Sequence, residues 1–157
     1  MLTIALTLAE ATAAPGEIRA GGTDVQERRR TGIAAGPLVD ISRLPGLGAT
    51  TWGADGAATI GALTPISAVA GDERVRAGYP GLAQAAAGLA TPQIRAVGTL
   101  GGSLLQRVRC WYFRHPAFAC YKKGGDGCPA RAGHLPHGVL FDRGPCAFPH
   151  PSTLGMA

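Results

Sequence analysis

Gln93-Ile94-Arg95-Ala96-Val97-Gly98-Thr99-Leu100-Gly101-Gly102-Ser103 is the stretch on which the reading of this chain turns. Its second half, Gly98 to Ser103, is a glycine turn of the kind that lets a phosphate-bearing ligand approach the backbone. Directly after it, within residues 106–147, stand all four cysteines of the protein: Cys110, Cys120, Cys128 and Cys146. Four thiols gathered in one segment suit a metal centre. The two features together suggest an electron-transfer protein with two redox sites.

Upstream, Ala20-Gly21-Gly22-Thr23-Asp24 repeats the glycine theme. It follows a short strand candidate, Glu17 to Ala20, and precedes a helix candidate, Val25 to Thr31, with Arg28, Arg29 and Arg30 read as solvated. Strand, double glycine and helix start form an anion-binding geometry, although an isolated Gly-Gly pair more often marks a tight turn. Leu2 to Ala14 reads as a helix from Ile4, Leu8 and Ala11, stopped by Pro15-Gly16. Pro37 to Ile41 reads as a strand, and Asp55-Gly56 as the turn of a hairpin flanked by Ala49–Trp52 and Ala58–Ala62. Trp52 is expected in the core. Thr64-Pro65 starts a helix with Thr64 as N-cap, Tyr79-Pro80 breaks the pattern, and Gly81 to Leu89 is a buried helix.

After Gln106 the periodicity ends and an irregular functional loop is expected. Its charge is distinctive. The chain carries a formal net charge of +5, and the segment from Arg107 to Cys146 holds seven basic and two acidic residues, so it accounts for the whole excess. A solvated basic surface, a nucleic-acid surface and compensation for an anionic thiolate cluster are three readings of that charge. At 157 residues with 46% hydrophobic and 16% charged residues, the chain is a globular protein of one domain or two small ones. No apolar run is long enough for a membrane span. The start lacks a basic n-region and carries Glu10, so it reads as mature protein in the cytoplasm. There, four cysteines point to metal ligands or free thiols before disulfides. Zinc, perhaps with His115, His134 or His137, ranks below iron–sulfur because no C-x-x-C knuckle is present.

In order and spacing, several pieces resemble the flavin-binding subunit of the molybdenum hydroxylase family, which includes xanthine dehydrogenase and aldehyde oxidoreductases. They are Ala20 to Asp24, Val39 to Leu47, Ile60 to Thr64, Tyr79 to Leu82 and Gln93 to Ser103. The resemblance implies an α+β, two-lobed FAD-binding fold of the PCMH type: a βαβ-like lobe over 1–54 and a second, incomplete lobe over 55–157, with FAD between them. It implies FAD-binding positions at Ala20, Gly21, Gly22, Thr23 and Asp24, at Gly98, Thr99, Leu100, Gly101, Gly102 and Ser103, and at Ser152 and Thr153. One branch of the family carries an insertion with an extra 4Fe–4S cluster, and the segment around Cys110, Cys120, Cys128 and Cys146 resembles it. Trp111, Tyr112 and Phe113 would then wall the cluster from water.

By the same resemblance the chain is an electron-transfer subunit of a molybdenum-containing dehydrogenase. Its partners would be a molybdenum-cofactor large subunit and a 2Fe–2S small subunit, with no nucleic acid or membrane partner, and export with a partner to the periplasm is the alternative location. No side chain is assigned a catalytic role. The sequence departs from the family at Ala96 and Ser103, where Asn is common, and at Thr153, where an Asp holds the ribityl region. The family's strand preceding Met1 is missing or shortened, and the family continues well past Ala157. The alternatives are a flavoprotein with structural cysteines, a basic zinc-binding nucleic-acid module, and a truncated remnant.

Overall fold

The computed structural model describes residues 1–134, 137–141 and 144–157. Asp142 and Arg143, which enter the charge count above, and Leu135 and Pro136 of the cysteine segment lie outside the described residues. The architecture is mixed helix and strand, as expected. The chain forms two compact units: Met1–Thr23 with Gly36–Leu105 and Ser152–Ala157, and Asp24–Ala35 with Gln106–Pro151. The cysteine segment therefore shares its unit with one short piece from the N-terminal region.

The first unit starts with a three-stranded parallel sheet of order β1-β3-β2, formed by β1 (Leu2–Ile4), β2 (Glu17–Arg19) and β3 (Leu38–Asp40). The central strand β3 is buried at all three residues, as a strand flanked on both edges requires. The N-terminal stretch is thus strand followed by helix, not the helix over Leu2 to Ala14 that its apolar spacing suggests. The reason is local. Thr7 caps α1 (Leu8–Ala13) by accepting the Glu10 N–H at 3.1 Å, while the Glu10 carboxylate accepts the Leu6 N–H at 2.7 Å. This reciprocal Thr-x-x-Glu arrangement fixes where the helix begins. Ala5, Ala11, Val39 and Leu44 pack beneath it.

The expected hairpin is present as β4 (Thr50–Trp52) and β5 (Ala58–Ile60), antiparallel, with Thr51 opposite Thr59. Gly56 takes the left-handed conformation at φ +85°, and Asp55 accepts the Ala57 N–H at 3.0 Å. Trp52 is half-buried: it packs on the helical core and carries the Arg74 guanidinium 4.2 Å over its ring. Helices α3 (Ile66–Gly71), α4 (Glu73–Gly78), α5 (Pro80–Gly88), α6 (Pro92–Val97) and α7 (Leu100–Leu105) follow. Asp72 splits what reads as one helix by capping α4, accepting the N–H groups of Arg74 and Val75. Ile66, Val69, Val75, Ala86 and Leu154 form their core. Pro65, not Thr64, occupies the N-cap position of α3, and the buried Thr64 hydroxyl has no hydrogen-bond partner among the described residues.

In the second unit, α2 (Val25–Arg30) joins α8 (Trp111–Arg114), a 3-10 turn at Tyr121–Lys123, and α9 (Pro129–Ala132). Val108, Cys110, Phe113, Cys120 and Ala130 are its buried core. Arg28 is not solvated as its place in an arginine run implies; it is 6% exposed and pairs with Asp24. Among the described residues no helix is long and apolar enough to cross a membrane.

At the end of the parallel sheet, Asp40 on β3 pairs with Arg19 on β2 and accepts the Ser42 N–H at 2.8 Å. Burial alone would raise the Asp40 carboxyl, but the Ser42 bonds and the Arg19 guanidinium outweigh it and hold the group below the ordinary value of 3.8. Its stabilisation is therefore present above that value and is lost as pH falls through the lower folded-state value. Asp40→Asn is expected to cost about 1–3 kcal/mol at neutral pH. The two proteins should converge in urea-unfolding midpoint as the pH is taken toward 2, roughly where both are uncharged at this position.

Candidate functional site

The two glycine loops meet within the first unit. β2 ends at Arg19 and the chain turns through Ala20, Gly21, Gly22 and Thr23. Gly22 is left-handed at φ +74°. Gly21 is needed for a different reason: a Cβ there would lie 1.8 Å from the Val97 carbonyl oxygen. The loop thus rests against the end of α6, on the residues that lead into Thr99. Gly98 faces the same junction, where an added Cβ would be 2.9 Å from the Ile94 carbonyl oxygen and 3.8 Å from Thr23 Oγ1. Sequence reasoning paired these loops by resemblance; the structure supplies the contact that joins them.

Their donors differ. Among the described residues, the backbone N–H groups of Gly21, Gly22 and Thr23 donate to no protein acceptor. Main-chain donors without a protein acceptor, next to a left-handed glycine, are the kind of groups that phosphate oxygens accept from. In the second loop, which is the first turn of α7 and not an open turn, the donors are engaged. Leu100 N–H goes to the Thr64 carbonyl at 2.9 Å, Gly101 N–H to the Ala62 carbonyl at 2.9 Å and Gly102 N–H to Thr99 Oγ1 at 3.1 Å. Ser103 N–H goes to the Thr99 carbonyl at 2.8 Å. Gly101 is small because an added Cβ would sit 2.9 Å from Ala62. The glycines of this loop therefore serve close packing.

Ser103 and Ser152, 49 positions apart, place their hydroxyl oxygens 3.2 Å from each other, and both are buried. The chain leaves the first unit after Leu105 and returns at Ser152, so this contact lies where the excursion starts and finishes. Thr153 beside it is exposed. Asp24 stands apart from the other loop residues. Its carboxylate accepts from Arg114 Nη2 at 2.6 Å, Arg28 Nε at 2.8 Å and the Arg107 N–H at 3.2 Å, all within the second unit. Burial alone would raise its carboxyl; those bonds, and the Arg114 charge, hold it below the ordinary range instead.

Cys110, Cys120, Cys128 and Cys146 all line one apolar cavity of the second unit, together with Phe113 and Phe148. Cys110 and Cys120 are buried, Cys128 and Cys146 half-buried, and all four are free thiols. Among the described residues no three Cys, His, Asp or Glu side chains are drawn close enough to hold a metal ion. Phe113 and Tyr112 wall the cavity as expected, but Trp111 does not; it is 62% exposed, with its ring 5.7 Å from that of His134.

The role of the basic residues could not be read from the sequence. Lys122 Nζ donates to the Pro149 carbonyl at 2.8 Å, and Lys123 Nζ to the carbonyls of His115 and Tyr112 at 2.7 and 3.1 Å. Arg131 donates to the carbonyls of Pro145 and Gly144. A segment with few ladder hydrogen bonds leaves many carbonyls to satisfy, and these cations satisfy them. No sequence pattern reports which carbonyl a lysine will reach.

With this geometry in hand, comparison with known proteins is informative. Residues 3–131 match the family described as FAD binding domain in molybdopterin dehydrogenase. The aldehyde oxidoreductase FAD-binding subunit PaoB of Escherichia coli (strain K12) is 36% identical over 141 residues, 88% of this chain and 44% of that protein. The 6-hydroxypseudooxynicotine dehydrogenase complex subunit alpha of Paenarthrobacter nicotinovorans is 46% identical over 67 residues, 43% of this chain and 22% of that one. Carbon monoxide dehydrogenase from Hydrogenophaga pseudoflava superposes with a TM-score of 0.61 at 29% identity, covering 65% of this chain and 38% of that one. Quinoline 2-oxidoreductase from Pseudomonas putida 86 gives 0.60 at 27%, covering 66% and 38%. The chain thus spans less than half the length of the curated relatives it matches.

The Gly21 contact makes a direct prediction. Gly21→Ala forces the loop away from Val97 and is expected to cost roughly 2–4 kcal/mol. Gly22→Ala must take on the left-handed φ of +74° and should cost about 1 kcal/mol on that account. Urea-unfolding midpoints of the two variants check the order.

Proposed function

Because the chain belongs to the FAD-binding domain family of molybdopterin dehydrogenases, matched over residues 3–131, we propose that it binds FAD and relays electrons within a multi-subunit molybdenum-containing dehydrogenase. The observation that carries this reading is the set of uncommitted N–H donors at Gly21, Gly22 and Thr23, set against the end of α6. These residues would hold the pyrophosphate. Thr99, Ser103 and Ser152, in the same unit, would orient the rest of the ligand or pack behind it. Bound FAD supplies the exchange of electrons singly and in pairs. The protein's own task is to bind, orient and shield it, and no residue need act as acid, base or nucleophile.

The partners that suit this role are a subunit holding the molybdenum cofactor and one holding 2Fe–2S clusters; the relatives are subunits of, or structures from, oxidoreductases. The two lobes, 1–54 and 55–157, belong to the same proposal. So does a 4Fe–4S cluster on Cys110, Cys120, Cys128 and Cys146. Its support is the ligand number, the shared apolar cavity and the free state of all four thiols. The thiols are not gathered as a ligand set, so binding a cluster requires them to draw together.

An anaerobic absorption spectrum of the purified protein, with flavin and iron analysis, tests both cofactors. Flavin bands and a broad visible shoulder that dithionite bleaches are expected, with about four irons per chain. Flavin without iron would remove the cluster and keep the domain assignment; iron without flavin would overturn the cradle. Cys128→Ser should lose iron while retaining flavin.

A further inference from the structure

α2 is the piece of the second unit that comes from the N-terminal region, and the remainder of that unit is the cysteine segment. Arg114 ties the two together. Its Nη2 lies 2.6 Å from Asp24 Oδ1 and 2.9 Å from the Arg107 carbonyl oxygen, its Nε donates to the Val108 carbonyl at 2.8 Å, and its Nη1 pairs with Glu27. The Arg114 side chain is 12% exposed and that of Asp24 16%. Asp24 Oδ2 meanwhile accepts the Arg107 N–H at 3.2 Å. The arm Arg107-Val108-Arg109 that delivers Cys110 is thus grasped from both ends of one ion pair. Cys110 itself stands at the start of α8, where its carbonyl accepts the Arg114 N–H at 2.9 Å.

We propose that the Asp24–Arg114 pair is a positioning device that fixes Cys110 in the cysteine cavity, and that Asp24 serves this purpose with its carboxylate instead of contacting the flavin. The planar guanidinium is essential to it. Arg114 serves four acceptors at once, two carboxylates and two carbonyls, whereas a lysine ammonium is a single point with three donors. Charge alone therefore does not replace it. Asp24 directly follows Gly21-Gly22-Thr23 in the chain. The inference rests on the proposed function in one respect, that Cys110 is a cluster ligand; the geometry of the arm does not depend on it.

The test is amide hydrogen exchange of residues 107–114 in the full chain without metal, for the wild type, Arg114→Gln, Arg114→Lys, Asp24→Asn and the double variant Asp24→Asn/Arg114→Gln. Breaking a largely desolvated pair should speed exchange in this arm by about tenfold or more in each single variant, Arg114→Lys included. The double variant should add little to either single one. Exchange in α3 and α5 should be unchanged, as should the FAD affinity of Arg114→Gln, while iron uptake on reconstitution with iron and sulfide falls. Unaltered exchange, full additivity, or complete rescue by lysine would overturn the proposal. If the glutamine variants fail to fold, Arg114→Lys and Asp24→Asn decide it by the same criteria. A wild type that takes up no iron would remove the cluster reading, and the exchange data would still judge the ion pair.

Discussion

The approach of Gly21 to the carbonyl of Val97 is the constraint on which the rest of the site depends. A side chain at that position would meet the carbonyl oxygen at 1.8 Å. Because the contact is backbone against backbone, neither partner can yield by changing a rotamer. It fixes the loop after β2 on the end of α6, and therefore beside the chain that runs from Gly98 into α7. The parallel sheet delivers one loop and the helical layer delivers the other. In this arrangement the three N–H donors of the first loop have no acceptor among the described residues, while the second spends its donors on Ala62, Thr64 and Thr99 to hold α7 against the segment that follows the hairpin. One loop is left for the proposed ligand; the other serves close packing.

The second unit is organised by charge in place of periodic secondary structure. Its longest helix among the described residues is six residues, and its apolar core is built around cysteines and aromatic rings. Such a segment has many carbonyls without ladder partners. Lys122, Lys123, Arg114 and Arg131 fill that need, and Asp24 and Glu27 offset Arg114. The formal excess of positive charge is thus partly a fastening system. The cavity that the four thiols line is itself apolar.

Legibility in the sequence followed the range of the interaction. The Asp55-Gly56 hairpin, the Tyr79-Pro80 break and the strand at Glu17 are set by neighbouring residues, and they were readable. The spacing of Ile4, Leu8 and Ala11 fits a helix from Leu2, but the Thr7–Glu10 cap starts it six residues later, a signal present in Thr-x-x-Glu. Thr-Pro is a common helix start, which points to Thr64 as the cap; the structure places Pro65 there. That the two glycine loops meet and that the four cysteines line one cavity follows the spacing of the loops and the clustering of the thiols in the sequence. Their division of labour was not legible there. Whether a glycine exists for a ligand or for a neighbouring helix depends on what lies opposite it, and Val97 and Ala62 are distant in the chain. The burial of Arg28 and the engagement of Asp24 by Arg114, 90 positions away, are likewise invisible in a charge count.

Binding titrations comparing FAD with riboflavin, followed by quenching of flavin fluorescence, test the central claim most directly, that the free donors of Gly21, Gly22 and Thr23 hold a pyrophosphate. The account predicts that FAD binds one per chain and that riboflavin, which lacks the pyrophosphate, binds weaker by about a hundredfold or more. Equal affinity for the two would place the binding energy on the isoalloxazine ring and contradict the role assigned to the first glycine loop.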